Sequence, residues 1–216
     1  MKAKLCPFSD IKKDGLSGYT DNGEYILEYP TPFNMEQESL SLRGRHNVYN
    51  SLAAGLAAHI AGVKNETLRK CLSNFPGVEH RLQKICTVGG VTYINDSKAT
   101  NVDACWYALE SMTQPTVLIL GGVDKGNDYS QIYELVKQKC IGIVYMGVDN
   151  KKLHDCFDSF GIPTRDTKSM KDAMAACREL ARPGSTVLLS PCCASFDLFK
   201  NMEDRGEQFM EIAINS

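Results

Sequence analysis

The sequence predicts an α/β protein whose larger part is a doubly wound, mostly parallel β-sheet. Beyond about residue 80, strand-like and helix-like patterns alternate to the carboxyl terminus. Two runs, TVLIL at 116–120 and IGIVYM at 141–146, are short, continuous and apolar, as expected of strands that are buried on both faces. The alternation and these runs together favour helices on both sides of one sheet.

The first 45 residues have a different character. They are polar, rich in turn signals, and hold too few apolar side chains for a core of their own. Within them, YILEYP at 25–30 alternates like a strand and stops at Pro30. These residues therefore predict strands that complete a larger sheet.

Two helices are predicted next. The Ala-rich stretch 46–62 is apolar and closed by Gly62, and a second helix runs from Asn65, a plausible N-cap, to about residue 74. Pro76 and Gly77 then break the helical pattern. We place the domain boundary just after this break, near residue 80, which divides the chain into domains at 1–80 and 81–216.

The elements of the second domain follow in order. They are a hairpin across Gly89 and Gly90, a helix at 101–112, a strand at 116–120, a helix at 129–139, a strand at 141–146, a helix at 151–160, a short segment near Thr164, a helix at 170–181, a strand at TVLLS (186–190) and a terminal helix.

Composition narrows the class of protein. The 216 residues carry a net charge of −2, which gives no general reason to expect nucleic acid or an anionic membrane as a partner. No apolar run approaches the roughly 20 residues of a transmembrane helix, and the amino terminus lacks the apolar core of a signal peptide. Nine scattered cysteines without a C-x-x-C pair argue against zinc. They indicate reduced cysteines that act as small buried apolar residues in a cytoplasmic protein.

The first loop with possible chemistry is NDSKATN, residues 95–101, which follows a predicted strand. Asp96, Lys98 and Thr100 cluster where a helix begins, and Thr100 or Asn101 can cap that helix. A helix amino terminus beside a lysine favours an anion. The same pattern also fits an ordinary capped turn with a solvated lysine.

The second loop is GGVDKGND, residues 121–128. It lacks the Lys-Ser/Thr pair of a phosphate-binding P-loop and the G-x-G-x-x-G spacing of a dinucleotide site. Lys125 in a glycine-rich turn suits a carboxylate. A plain flexible turn is the alternative.

The third loop is SPCCASFDLF, residues 190–199, where Ser195 stands at a predicted helix start with Asp197 in the first turn. A hydroxyl beside free backbone N–H groups can bind a carboxylate, and a simple N-cap is the alternative.

Two further signals concern nucleotides. Asn47 and Asn50 lie three apart on one helix face, and their amides can read the edge of a nucleobase. Arg81, at the domain boundary, can reach an anion held there. A polar helix start and a surface arginine are the corresponding alternatives.

In this order, HNVYN, F-x-G-x-x-HR, INDSKATN, GG-x-DKG-x-D, LLSP-x-CASFD and RGEQF together resemble the D-glutamate-adding branch of the Mur ligase family, over residues 44–216. The resemblance implies an ATP-dependent enzyme with three domains. It makes residues 1–80 the carboxyl-terminal remnant of the central ATP-binding domain. Residues 81–216 become the carboxyl-terminal Rossmann-like domain that binds the amino acid.

The resemblance also implies roles for individual residues. The residues implied for ATP are His46, Asn47 and Asn50 near the adenine, Arg81 near the phosphates and Asp96 at the ribose. The residues implied for D-glutamate are Lys98, Thr100, Lys125, Ser195, Phe196 and Met202. Met202 stands where the family often has Phe, so its contact can differ. No residue is assigned a catalytic role as a nucleophile.

The implied reaction joins D-glutamate to UDP-N-acetylmuramoyl-L-alanine in peptidoglycan synthesis, through an acyl phosphate formed with ATP and Mg²⁺. The family's phosphate loop, G-T-x-G-K-[ST], does not occur in this sequence, nor does its magnesium-holding modified lysine. We therefore expect the metal ligands outside this chain, and a fragment that cannot ligate alone, derived from an enzyme that acts as a monomer. A non-catalytic small-molecule-binding module is the main alternative, and a nicotinamide-dependent oxidoreductase is disfavoured by the missing dinucleotide pattern.

Overall fold

A computed structural model describes residues 3–42 and 44–215. The described chain divides into two compact units between Gly77 and Val78, here named the N-terminal unit and the C-terminal unit. No helix among the described residues has the length and apolar character needed to cross a membrane.

The N-terminal unit consists of a small sheet and two helices. Its elements are β1 (Phe8–Ser9), β2 (Gly18–Asp21), β3 (Glu24–Leu27), β4 (Phe33–Glu36), α1 (Arg45–Ile60) and α2 (Asn65–Asn74). The strands lie in sequence order, with β1 parallel to β2 and the other pairs antiparallel. The turn between β2 and β3 has positive φ at Asn22 and Gly23, as a two-residue hairpin requires.

Helix α1 packs directly on β3 because residue 55 is glycine. A Cβ atom at Gly55 would collide with the phenol oxygen of Tyr25. That hydroxyl is buried, and it donates a hydrogen bond to the carbonyl of Ser51 at 2.7 Å. The apolar stripe of α1, with Leu52 and Leu56, fills the core beside it. The Ala-rich pattern of this helix therefore reflects a close approach of helix to sheet.

Helix α2 begins one position earlier than its sequence suggests. Asn65 is its first helical residue, and Lys64 occupies the N-cap without a side-chain hydrogen bond. The interpretation of Asn65 as the cap is therefore wrong.

The C-terminal unit contains a six-stranded sheet and five helices. The strands are β5 (Gln83–Val88), β6 (Val91–Asn95), β7 (Thr116–Gly121), β8 (Cys140–Met146), β9 (Thr164–Thr167) and β10 (Thr186–Cys192). The helices are α3 (Val102–Ser111), α4 (Tyr133–Lys139), α5 (Lys151–Phe157), α6 (Met170–Leu180) and α7 (Met202–Ile214). The spatial order is β5-β6-β10-β7-β8-β9, in which only the β5–β6 hairpin is antiparallel.

Helices cover both faces of this sheet, as β7 illustrates. Leu118 and Leu120 join the core that contains residues of α3, α4 and α5, whereas Val117 and Ile119 join the core of α6 and α7. Successive side chains of a strand point to opposite faces. Burial on both faces explains why this strand is continuously apolar, and the doubly wound α/β sheet is confirmed.

The cysteines carry no disulfide. All nine are free, and five of them, Cys105, Cys140, Cys177, Cys192 and Cys193, are buried. Cys71 is exposed, so the expectation of buried thiols holds for most of them but not for all.

Candidate functional site

Three loops meet at the carboxyl edge of the C-terminal sheet, because β6, β10 and β7 are neighbouring parallel strands. We name them the β6 loop (96–101), the β7 loop (122–128) and the β10 loop (193–201). The amide of Val123 donates to the carbonyl of Ala194 at 2.8 Å, which joins the β7 and β10 loops. Ligands of open α/β sheets bind at this edge.

A buried arginine ties the β6 and β10 loops together. Arg205, in the first turns of α7, is 1% exposed. Its guanidinium donates to the Oγ and carbonyl oxygen of Ser97 at 2.9 and 2.8 Å, and to the carbonyl of Cys193 at 3.1 Å. Burial lowers the pKa of Arg205 to about 10, so the group stays charged at neutral pH. Because all three acceptors are neutral backbone or hydroxyl oxygens, the guanidinium holds the two loops together and, among the described residues, does not pair with an acidic side chain.

The β6 loop presents Lys98 and Thr100 beside the start of α3. The side chain of Asn101 caps this helix by accepting a hydrogen bond from the amide of Ala104 at 2.8 Å, as one of the two predicted caps. Lys98 and Thr100 are half-buried. The Lys98 ammonium has no hydrogen bond or ion pair with any residue that the structure describes. A cation held at the edge in this way is available to an anion.

Asp96, predicted at the ribose of ATP, lies inside the C-terminal unit. It is 4% exposed, and both of its carboxylate oxygens accept hydrogen bonds, from the amide of Leu82 at 3.1 Å and from the hydroxyl of Ser190 at 2.8 Å. Burial raises the pKa of Asp96 to about 7, against the opposing effects of these two hydrogen bonds and of the charge on Arg81. In this arrangement the carboxylate braces the chain around residue 82.

Arg81 sits in the turn that Asp96 braces. Its side chain is exposed, and its two neighbours, His80 and Leu82, both have positive φ, 61° and 44°. The ring of His80 contacts the Asn95 amide at 3.0 Å. A Cβ atom at Gly206 would collide with this ring, which accounts for the glycine of the RGEQF motif. Strained backbone on both sides of an exposed arginine is typical of a functional position.

The β7 loop carries Lys125 at its exposed tip. Its base is fixed by two glycines with φ of 126° and 124°, Gly121 and Gly122. A Cβ atom at Gly122 would collide with the carbonyl of Ala194 in the β10 loop. The glycine pair therefore permits close contact between these two loops, as the sequence suggests for a glycine-rich turn.

The β10 loop corrects one prediction about Ser195. The last helix starts seven residues later, at Met202, where Asn201 accepts a hydrogen bond from the amide of Asp204 at 2.7 Å. Ser195 instead heads a turn, and its carbonyl accepts from the amide of Phe199 at 2.9 Å. Asp197 is bound to the amide of Val148 at 3.1 Å, which keeps it from a helical first turn.

The remaining two residues of the predicted amino-acid site flank this turn. The Phe196 ring is 71% exposed, and Met202 is half-buried at the first position of α7. Lys98, Thr100, Lys125, Ser195, Phe196 and Met202 therefore all lie on the three loops of one sheet edge or directly after them.

The N-terminal unit places His46, Asn47 and Asn50 in the first turns of α1. Asn47 is 8% exposed, and the Asn50 amide lies 3.4 Å from the Asn47 side-chain oxygen, so the two share one face as predicted. Asn50 also lines a cavity of about 280 Å³ between α1 and α2, whose other walls are mostly apolar and include Leu72 and Phe75.

The sequence patterns do not single out four polar residues that organise the edge. These are Asn95, Ser97, Ser190 and Arg205. Each belongs to a recognised motif, which is the only signal available for them, because no spacing rule marks a buried arginine whose partners are backbone oxygens. Among the described residues, no group of three or more His, Cys, Asp or Glu side chains could hold a metal ion, so we assign none of them to Mg²⁺.

Comparison with known proteins bears on these loops directly. The profile of the family described as "Mur ligase, glutamate ligase domain" matches residues 80–193, which include the β6 and β7 loops. The UDP-N-acetylmuramoylalanine–D-glutamate ligase of Bacteroides fragilis is 59% identical over 97% of this chain and 47% of its own length. The enzyme of the same name from Porphyromonas gingivalis is 47% identical over 99% of this chain and 48% of its own length.

The fold has solved counterparts. A crystal structure of MurF from Acinetobacter baumannii superposes with a TM-score of 0.68 at 19% identity, over 94% of this chain and 46% of that one. The chain spans about half the length of the curated relatives it matches. With the family profile covering more than half of its residues, the chain belongs to the Mur ligase family and contains that family's glutamate ligase domain.

Proposed function

We propose that this chain is the carboxyl-terminal part of an ATP-dependent ligase that joins D-glutamate to UDP-N-acetylmuramoyl-L-alanine, and that it supplies the D-glutamate side of the active site. The observation that carries the proposal is the presence of two lysines, Lys98 and Lys125, on neighbouring loops of one sheet edge. Neither ammonium is bound to another described residue. A dicarboxylic amino acid needs two such cations with hydrogen-bond donors beside them.

The amino-acid site is proposed to orient its substrate rather than to react with it. Lys98 and Lys125 neutralise the two carboxylates of D-glutamate, with donors from Thr100 and the Ser195 turn, while Phe196 and Met202 cover the carbon chain. In the reaction, a substrate carboxylate oxygen attacks the γ-phosphorus of ATP, and ADP leaves. The D-glutamate amine then attacks the acyl carbon and loses a proton, and phosphate leaves. Such chemistry depends mainly on positioning and charge neutralisation.

The N-terminal unit is proposed to be the end of the central ATP-binding domain. The amides of Asn47 and Asn50, with His46 near them, suit the polar edge of adenine. The apolar cavity beside Asn50 suits the face of a purine. Arg81 is proposed to approach the phosphates and Asp96 the ribose, for which the Asp96 carboxylate, now 4% exposed, must become accessible.

Calorimetric titration tests the amino-acid site. We expect D-glutamate to bind and L-glutamate to bind at least about tenfold more weakly, because the two carboxylates and the amine cannot all be matched by the wrong enantiomer. Lys98→Gln and Lys125→Gln should each weaken D-glutamate binding about tenfold or more. Lys137→Gln, which removes an exposed lysine of α4, serves as the control and should have no effect. Equal binding of both enantiomers, or unchanged affinity in both lysine variants, would refute the assignment.

A phosphate-release assay tests whether the chain acts alone. With ATP, UDP-N-acetylmuramoyl-L-alanine and D-glutamate, we expect no turnover, since the sequence contains no phosphate loop. Robust turnover would contradict this expectation. The names of the relatives favour a ligase over a non-catalytic binding module. A phosphate loop upstream in the parent gene would decide between the two.

A further inference from the structure

We propose that Asp124 is a positioning residue, which folds the β7 loop around its own carboxylate so that Lys125 faces the amino-acid substrate with its charge unshared. This inference rests on the proposed function, because it assigns a cause to the placement of a lysine of the D-glutamate site. The family motif contains the lysine, but the motif alone gives no reason for an acidic residue directly before it.

The Asp124 carboxylate is the centre of the loop. Its Oδ1 accepts hydrogen bonds from the amide of Gly126 at 2.6 Å and from the amide of Asn127 at 3.2 Å. The chain therefore turns back on the carboxylate directly after Lys125, which is left at the outer corner. The Asp124 side chain thus forms a turn with the backbone that follows it, as aspartate does in an Asx-turn.

Two side chains from outside the turn also donate hydrogen bonds to the Asp124 carboxylate. The Lys152 ammonium, on α5, donates to Oδ1 at 3.1 Å, and the Tyr129 hydroxyl donates to Oδ2 at 2.8 Å. Lys152 also donates to the carbonyl of Asn127 at 2.7 Å. Because Lys152 supplies the counter-charge, Lys125 does not have to. The Lys125 ammonium has no hydrogen bond or ion pair within residues 3–42 and 44–215.

The Asp124 carboxylate stays ionised in this environment. Partial burial raises the pKa of Asp124, but the hydrogen bonds from Gly126, Tyr129, Lys152 and Asn127 outweigh that effect and leave the pKa below its ordinary value. Burial also raises the pKa of the Tyr129 phenol, so this group remains a hydrogen-bond donor at neutral pH.

The same network reaches the β10 loop, which carries Ser195. The Tyr129 hydroxyl lies 3.2 Å from the Cys193 sulfur, and the Asn127 amide donates to the carbonyl of Cys192 at 3.1 Å. Tyr129 is 2% exposed, so this connection lies within the core of the unit. These contacts fix the β7 loop, which carries Lys125, against the end of β10 that precedes Ser195.

A second carboxylate of the loop provides a matched control. Asp128 accepts hydrogen bonds from the amide and hydroxyl of Ser130 at 3.0 and 2.6 Å. It caps a local turn and, among the described residues, has no hydrogen bond or ion pair with Lys152 or with residues 124–127; Lys152 acts on it only through a weaker electrostatic attraction. Asp124→Asn and Asp128→Asn therefore make the same chemical change at neighbouring positions with different expected results.

Two measurements on the full chain test the proposal. In Asp124→Asn we expect amide hydrogen exchange at Gly126 and Asn127 to accelerate about tenfold, and the D-glutamate affinity from calorimetry to fall about tenfold. Tyr129→Phe should change both quantities in the same direction by about threefold, because it removes one of the four hydrogen bonds to the Asp124 carboxylate. Asp128→Asn should change neither.

A double-mutant cycle with Lys125→Gln distinguishes positioning from general weakening. If Asp124 acts through Lys125, adding Asp124→Asn to Lys125→Gln should cause no further loss of D-glutamate affinity. Additive losses, or unchanged exchange at Gly126 and Asn127 in Asp124→Asn, would overturn the positioning role. Failure of the unaltered chain to bind D-glutamate would instead overturn the proposed function. The exchange measurement at Gly126 and Asn127 would then still test whether Asp124 holds the β7 loop.

Discussion

At the scale of single residues, the site depends on polar groups that are buried to hold loops. Asp96 and Arg205 are both more than nine-tenths buried, and neither forms its contacts with a side chain of opposite charge. Burying a charge is costly unless several hydrogen bonds compensate it. Both residues therefore carry a desolvation cost that their hydrogen bonds offset, and both hold the loops of the sheet edge in place. Each gives a separate prediction.

The raised pKa of Asp96 makes folding stability depend on pH. In the unfolded chain its pKa is close to 3.8, and in the folded chain it is about 7. Between these values the unfolded state binds fewer protons, so the free energy of unfolding falls as the pH rises. The free energy of unfolding falls by about 4 kcal/mol at most, because a pKa difference of one unit corresponds to about 1.4 kcal/mol.

Asp96→Asn should remove this loss. We expect the variant to be more stable than the unaltered chain at pH 8 and to lose less stability between pH 5 and pH 8, as measured by urea unfolding. Asp128→Asn, at an exposed carboxylate, should keep the original pH dependence. The same pH dependence in Asp96→Asn would mean that burial of this carboxylate is not what sets it.

Arg205 gives a prediction about geometry rather than charge. Arg205→Met fills a similar volume but leaves the carbonyls of Ser97 and Cys193 without their donor, so we expect destabilisation of about 3 kcal/mol in urea unfolding. Arg205→Lys keeps the charge, yet one ammonium cannot match the spacing of three acceptors, and it should recover only part of the loss. Full recovery by lysine would show that the charge alone matters.

At the scale of elements, the sequence predicts buried strands better than it predicts loops. The strands at 116–120, 141–146 and 186–190 can be identified because burial on both faces gives each of them a continuous apolar run. The helix start at Ser195 was wrong for a physical reason. Ser-x-Asp resembles a capped first turn, but Asp197 is bound to the amide of Val148, from a distant part of the sequence. Contacts of that range leave no local pattern.

Gly55 in α1 shows how tertiary packing reverses a local preference. Alanine is favoured over glycine inside a helix by about 1 kcal/mol. A Cβ atom at this position would nevertheless collide with the Tyr25 hydroxyl, and overpacking of a core costs about 1–3 kcal/mol. We therefore expect Gly55→Ala to lower the stability of the N-terminal unit in hydrogen exchange.

The double variant Tyr25→Phe/Gly55→Ala tests the cause. Removing the phenol oxygen takes away the atom that the new methyl group would meet, so the double variant should be more stable than Gly55→Ala alone. If it is less stable, the hydrogen bond from Tyr25 to Ser51 matters more than the steric contact.

At the scale of the whole molecule, the meeting of the three loops at one sheet edge can be predicted from the sequence. The hydrogen bonds that hold these loops in place cannot. Loops after β6, β7 and β10 carry the motif residues, and the parallel order of these strands brings the loops to one edge. β10 lies between β6 and β7 although it is the last strand in the sequence, and α6 and α7 pack on one face of these strands, an arrangement that no single motif encodes. The hydrogen bond from Ser190 to Asp96 and the one from Arg205 to the Cys193 carbonyl join segments that this strand order brings together. The ion pair between Asp124 and Lys152 also joins residues far apart in the sequence, so none of these contacts leaves a local pattern.

We propose that the chain, about half as long as its curated relatives, holds the D-glutamate side of a ligase site. Residue-resolved NMR during titration with D-glutamate tests it most directly, through the amides of the β6 loop at 96–101 and of the β10 turn at 195–199. We expect saturable shifts of these amide signals in both segments with D-glutamate, and much smaller ones with L-glutamate at the same concentration. Unchanged spectra at tens of millimolar D-glutamate, or shifts confined to other parts of the chain, would contradict it.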